Sequence, residues 1–190
     1  IKLTEKNGRY TFTMPSDKVT VTPTFKAETT AFENPFIDIH AEDYYYDAVL
    51  WAAQKGVTGG TSDTTFAPDG ACTRTQAVTF LWRAAGSPEP KTLSSFADIP
   101  AGSYYAKAVA WAVENGVAKG VSDTLFAPDA ICTRAQIVTF LWRAQQSPAA
   151  GRTNPFADIS ADAYYADAVL WAVENGVAKG ISSTAFAPDA

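Results

Sequence analysis

With 190 residues, 47% hydrophobic and 13% aromatic, the chain has enough apolar material for a packed core, and 18% charged residues is low for a solvated, disordered polymer. Its formal charge of −5 argues against partners held by bulk electrostatics, such as a nucleic-acid backbone or an anionic membrane surface, so any bound anion needs a local basic group. No apolar run reaches the ~20 residues needed to span a bilayer, and the opening IKLTEKNGRY has neither a signal-peptide nor a transit-peptide pattern.

Residues 1–27 stand apart from everything that follows. Tyr10, Phe12 and Met14 alternate with Thr11 and Thr13, Pro15-Ser16-Asp17 punctuates, and Val19 and Val21 alternate with Thr20 and Thr22. Alternation on both sides of a turn signal predicts a hairpin of two half-buried strands, a pair that is marginal alone. Residues 28–35 are polar, end at Pro35 and read as a linker.

From Phe36 onward the sequence repeats without insertion or deletion: Phe36, Phe96 and Phe156 fall sixty residues apart, and Trp51, Trp111 and Trp171 keep the same step. Repetition at this period marks a unit that stacks on its neighbours to bury a shared core. The predicted division is repeat 1 at 36–88, a linker at 89–95, repeat 2 at 96–148, a linker at 149–155, and repeat 3 at 156–190 with only its first helix and loop.

Within repeat 1, Tyr45, Ala48, Val49, Ala52 and Ala53 recur at helical spacing and form one apolar face. Tyr105, Ala108, Val109, Ala112 and Val113 match them in repeat 2, and Tyr165, Ala168, Val169, Ala172 and Val173 in repeat 3. Gly56, Gly116 and Gly176, each followed by Val, have the form of a left-handed glycine just past a helix end. A loop with Gly59-Gly60, Ser62-Asp63 and Phe66-Ala67-Pro68-Asp69 follows. The second helix opens at Thr73-Arg74-Thr75-Gln76 and Thr133-Arg134-Ala135-Gln136, each a capping box. Ala77, Val78, Leu81, Ala84 and Ala85 are its expected buried face.

Catalytic and metal-binding patterns are absent. His40 is the only histidine, and the two cysteines, Cys72 and Cys132, occupy the same repeat position, which suits small buried hydrophobes better than a zinc site. A disulfide between them would require the equivalent positions to meet near a symmetry axis, and the buried-thiol reading is preferred. Asp63-x-Thr65-x-Ala67-x-Asp69 lacks the terminal acidic ligand of a calcium loop. The repeated acids fit a scaffold better than one asymmetric active site, so no enzyme activity, cofactor or metal is expected.

The ordered series FxDI, YY, AVxWA, GVxxG, FAPD and TRxQxVTFLWR closely resembles the S-layer homology (SLH) repeat over Phe36–Ala190. The shorter stretch YTFTMPSDKVTVTPTF resembles the closing strands of small β-repeat modules in Gram-positive surface proteins. The resemblance implies a mainly α fold, with helix–loop–helix repeats around a pseudo-threefold axis and a short N-terminal β-hairpin remnant. It also implies an extracellular location in a Gram-positive cell wall, and grooves between repeats that bind secondary cell-wall polysaccharide, often with a pyruvyl ketal. The arginine of the family's TRAE motif maps to Arg74 and Arg134, while Gln76 and Gln136 replace its glutamate and Cys72 and Cys132 its preceding aliphatic residue.

A guanidinium beside the first helix N–H groups would make an anion site, bidentate to a carboxylate. The competing reading is a structural arginine paired to an acid of the adjacent repeat. Gly60, Gly120, Ser62 and Ser122 are sugar contacts by resemblance, weighed against plain turn chemistry. Asp38, Asp98 and Asp158 are candidate ligand contacts, with a helix cap or arginine partner as the stronger reading. The tryptophans are expected to be mostly structural.

The function expected is non-catalytic anchoring to wall polysaccharide. The alternative is a protein-interaction or self-assembly module without carbohydrate binding. The chain reads as a fragment that stops in mid-repeat, so the first helix of repeat 3 is expected to have an open flank, which a homodimer would cover.

Overall fold

The computed structural model describes residues 32–151 and 153–190, together with the backbone of Thr4–Lys6 and Arg9–Thr11. Residues 1–31 and 32–190 form separate units. In the first, β1 (Thr4–Lys6) and β2 (Arg9–Thr11) pair antiparallel with Thr4 opposite Thr11. That hairpin precedes the Pro15–Asp17 turn signal, and the expected strand at Val19–Val21 lies outside the described residues.

The second unit is helical: α1 (Tyr46–Gln54), α2 (Arg74–Ala84), α3 (Ala106–Glu114), α4 (Arg134–Ala144) and α5 (Ala166–Glu174). Helices of nine to eleven residues are marginal in water by themselves, so their ends and their packing must hold them. The odd-numbered helices stop at Gly56, Gly116 and Gly176, whose φ values of +69°, +69° and +70° let the chain fold back. In repeat 1 this brings Gly56 N to Ala53 O at 3.0 Å and Val57 N to Ala52 O at 2.8 Å, satisfying two carbonyls of the last turn. Both capping boxes form, the threonine hydroxyl accepting from the glutamine N–H and the glutamine side chain accepting from the threonine N–H.

Packing does not follow the sequence repeat. Helix α2 packs on α3, α4 packs on α5, and α2 meets α4, while no other helix packs on α1 among the described residues. One apolar cluster joins Ala77 and Val78 of α2 to Ala108, Val109, Ala112 and Phe126 of repeat 2. A second joins Val138 of α4 to Ala168, Val169, Trp171 and Phe186 of repeat 3. Both of these cores are therefore built from the second helix of one repeat and the first helix and loop of the next, while Phe36, Ile39 and Val49 form a smaller cluster within repeat 1.

The faces shift accordingly. Ala84 and Ala85 are exposed, whereas Thr75 and Thr79 are buried against the neighbouring repeat. Their hydroxyls donate to Pro128 O (3.0 Å) and Thr75 O (2.6 Å), so two side chains that look polar sit inside without an unsatisfied group.

The open flank lies at the other end from the one expected. Ala168 and Ala172 of α5 are 0% exposed and Trp171 only 9%, because α4 covers them, whereas Trp51 of α1 is 54% exposed and Ala48 is exposed. An apolar cleft of ≈ 230 Å³ on this side is lined by Ala48, Val49, Ala52, Val57, Phe66 and Phe80. Since a second helix covers the first helix of the following repeat, repeat 3 is roofed and repeat 1 is not. The homodimer surface expected on repeat 3 is occupied from within the chain.

A copy of residues 131–144 appended after Ala190 is expected to seat on α1 as α4 seats on α5. The gain is about 2–4 kcal/mol from apolar burial, read as a higher melting temperature and as protection of Trp51 from a soluble fluorescence quencher. Unchanged melting and quenching would refute it.

Candidate ligand-binding grooves between repeats

The loop between the two helices of each repeat is shaped by an aspartate that precedes it. Asp38 accepts from Phe66 N at 2.9 Å and from Ala67 N at 2.7 Å. Asp98 binds Phe126 N and Ala127 N, and Asp158 binds Phe186 N and Ala187 N, at the same two distances of 2.9 and 2.7 Å. The clamp holds Ala67, Ala127 and Ala187 at φ of +60°, +60° and +58°, a left-handed conformation that a Cβ disfavours. These carboxylates are loop clamps and not helix caps, since Tyr45, Tyr105 and Tyr165 stand at the N-caps without a side-chain cap.

The N–H groups of Phe66 and Ala67 hold the Asp38 carboxyl below the ordinary value of 3.8, and those of Phe186 and Ala187 do the same for Asp158. Around Asp98 burial pushes upward, but the N–H groups of Phe126 and Ala127, with the charge of Arg74 behind them, leave the net shift downward.

Gly60 and Gly120 are needed for packing. A Cβ on either would lie 2.6 Å from the ring of Phe36 or Phe96, respectively, and against loop backbone oxygens. Ser62 bonds Thr65 Oγ1 at 2.6 Å and accepts from Thr64 N at 3.2 Å, and Ser122 accepts from Leu125 N at 3.1 Å, so both hydroxyls organise turns.

The Arg74 and Arg134 sites differ from the expected anion site. Arg74 N donates to Ala130 O at 2.9 Å, Thr75 N to Pro128 O at 3.2 Å, and Gln76 N to Thr73 Oγ1 at 3.3 Å, so the first helix N–H groups are filled from repeat 2 and by the cap. The guanidinium is also engaged by repeat 2: Nε donates to Phe126 O (2.9 Å) and Nη2 to Lys119 O (2.7 Å), with the Phe126 ring 4.6 Å below. Arg74 is 7% exposed.

Arg134 repeats this on repeat 3 with Phe186 O (3.2 Å) and Lys179 O (2.8 Å), while Arg134 N and Ala135 N reach Ala190 O (2.8 Å) and Pro188 O (2.9 Å). The arginine pairs with backbone carbonyls of the next repeat instead of an acid. Arg74 consequently lies beside the loop of Gly120 and not beside Gly60 and Ser62 of its own repeat.

A different cation faces the groove between repeats 1 and 2. Arg83, with Nη1 3.4 Å from Val57 O, lines a cleft of ≈ 140 Å³ with Gly59, Gly60, Gln76, Thr79 and Tyr104. Tyr104 is 63% exposed and stacks edge-on against Tyr105 at 5.0 Å. At the next junction burial pushes the Tyr164 phenol pKa up, and Arg143 and Arg74 oppose that push. Arg143 and Tyr164 hold, one repeat on, the positions of Arg83 and Tyr104. Arg83, Arg143, Tyr104 and Tyr164 are missing from the residues singled out by sequence; their signal was the repeated WRA and the first tyrosine of each YY pair.

Cross-junction arginine clamps define a tandem-repeat domain whose units interlock head to tail. The S-layer homology domain profile matches residues 35–78, 95–138 and 155–190, and the chain belongs to that family. Among relatives, it is 42% identical over 88 residues to the surface-layer 125 kDa protein of Lysinibacillus sphaericus, an alignment covering 46% of this chain and 7% of that protein. It is 29% identical over 119 residues to a cell surface protein of Thermoanaerobacter kivui, covering 60% of this chain and 16% of that one. The chain spans a small part of both relatives, and its family places it at the bacterial cell surface.

Arg74→Ala is expected to destabilise the domain by about 2–4 kcal/mol, because two charge-assisted bonds to buried carbonyls are lost, and Arg74→Lys, which lacks the fork, by less. Urea unfolding measures both; wild-type stability of Arg74→Ala would contradict the clamp. The aspartates set an acid limit. Their folded pKa values lie below the unfolded one, so their stabilisation is complete above about 3.8 and is lost as pH falls through the lower folded values. Asp98→Asn should melt lower than wild type at neutral pH, and the gap should close below about pH 3.8. A pH-independent gap would contradict the assignment.

Proposed function

We propose that this surface module anchors its parent protein by binding secondary cell-wall polysaccharide, without catalysis, in the grooves between repeats. The observation that carries this reading is that Arg83 and Tyr104 line one cleft in a chain of net charge −5, with Arg143 and Tyr164 at the same positions one repeat on. A carboxylate on the sugar, such as a pyruvyl ketal, is the group that these guanidinium ions would read, and the tyrosine rings offer an apolar face to a pyranose. Gly60 with Ser62 and Gly120 with Ser122 shape the walls. Arg74 and Arg134 hold repeats 2 and 3 in place. Asp38, Asp98 and Asp158 serve binding by keeping the loops in shape.

The protein is expected to sediment with purified Gram-positive wall sacculi and to stay in solution after their polysaccharide has been removed chemically. The double variant Arg83→Gln/Arg143→Gln should bind at least about tenfold more weakly, a loss of ~1.4 kcal/mol, while melting like wild type. Retention on stripped peptidoglycan, or full binding by the folded double variant, would overturn the proposal.

A further inference from the structure

Neither the loop clamps nor the grooves use Cys72 and Cys132, yet the fold brings these two residues together. Cys132 N donates to Cys72 O at 2.9 Å, and two residues away Arg74 N donates to Ala130 O at 2.9 Å. These bonds flank an antiparallel bridge between Thr73 and Ile131, so Cys72 stands directly opposite Cys132 across the junction of repeats 1 and 2.

Opposed residues in such a ladder have Cα atoms about 5.5 Å apart and project side chains to the same face. A disulfide requires about 4.4–6.8 Å. Both cysteines are half-buried and pack on the same apolar cluster. Burial, with Cys72 nearby, pushes the Cys132 thiol up to about 11. The meeting of equivalent positions that a disulfide demands is therefore present in the backbone.

We propose that Cys72 and Cys132 close an intramolecular disulfide that staples repeat 1 to repeat 2 outside the cell, where thiols meet disulfide oxidants. The thiolate of one cysteine attacks the S–S bond of a small-molecule disulfide, forming a mixed disulfide and releasing one thiolate. The thiolate of the other cysteine then displaces the second half of the oxidant. Two cysteines are oxidised, one disulfide is reduced to two thiols, and those thiols carry away the two protons. Because burial keeps the thiols protonated near neutrality, closure is slow there and accelerates as pH rises. The staple lies immediately before the Thr73 cap and the Arg74 clamp, and so locks the segment that interlocks the two repeats.

The test uses the whole folded chain with oxidised glutathione at about pH 8.5. Both thiols should disappear together, with the chain lighter by two hydrogens and still monomeric on a non-reducing gel. Proteolysis should release the Cys72 peptide joined to the Cys132 peptide, and dithiothreitol should restore both thiols. The oxidised form should melt about 10 °C higher, as expected for closing a long loop. Cys132→Ser should stop at the mixed disulfide on Cys72 without that rise. Two persistent thiols, glutathione adducts alone, interchain dimers, equal melting, or the same rise in Cys132→Ser would each overturn the staple. None of these outcomes bears on wall binding, which is measured separately.

Discussion

The guanidinium of Arg74 is withdrawn from water and satisfied by Phe126 O and Lys119 O of the following repeat. A charge in that position is tolerable only while both carbonyls stay where they are, since a buried cation without partners is strongly destabilising. Those carbonyls belong to a loop whose left-handed Ala127 is held by Asp98. The helix that carries Arg74 in turn starts with its first N–H groups taken by Ala130 O and Pro128 O, beside its own Thr73 cap. Aspartate, loop, arginine and helix start thus form one chain of dependence across the junction, repeated by Asp158 and Arg134 on repeat 3.

Local features were legible in the sequence. Helical periodicity, the capping boxes at Thr73 and Thr133 and the left-handed Gly56, Gly116 and Gly176 depend on residues within a few positions of each other, and all are present. What could not be read was the identity of partners fifty residues away. Thr75 and Thr79 look like solvent-facing residues until repeat 2 lies against them, and Arg74 looks like a free cation at a helix start until Lys119 O is placed beside it. The sequence points to an open flank on repeat 3 for the same reason: the repeat in the letters is offset by one helix from the unit that packs.

The arginines divide into two kinds by the same geometry. Arg74 and Arg134, at helix starts, point across a junction into backbone oxygen and hold the domain together. Arg83 and Arg143, in the last turn of the same helices, sit where the helix dipole favours a cation, and Arg83 lines the groove. Two arginines nine residues apart on one short helix are thereby set on different tasks. A binding experiment on Arg74 alone would confuse loss of fold with loss of ligand.

The offset between letters and packing also sets an order of events during synthesis. When α2 leaves the ribosome, the carbonyls that complete its first turn, at Pro128 and Ala130, have not yet been made, nor has the α3 surface that buries Val78. The helix waits through some fifty further residues with its donors on water. The growing chain always trails one unfinished half-unit, and each new loop closes the helix before it.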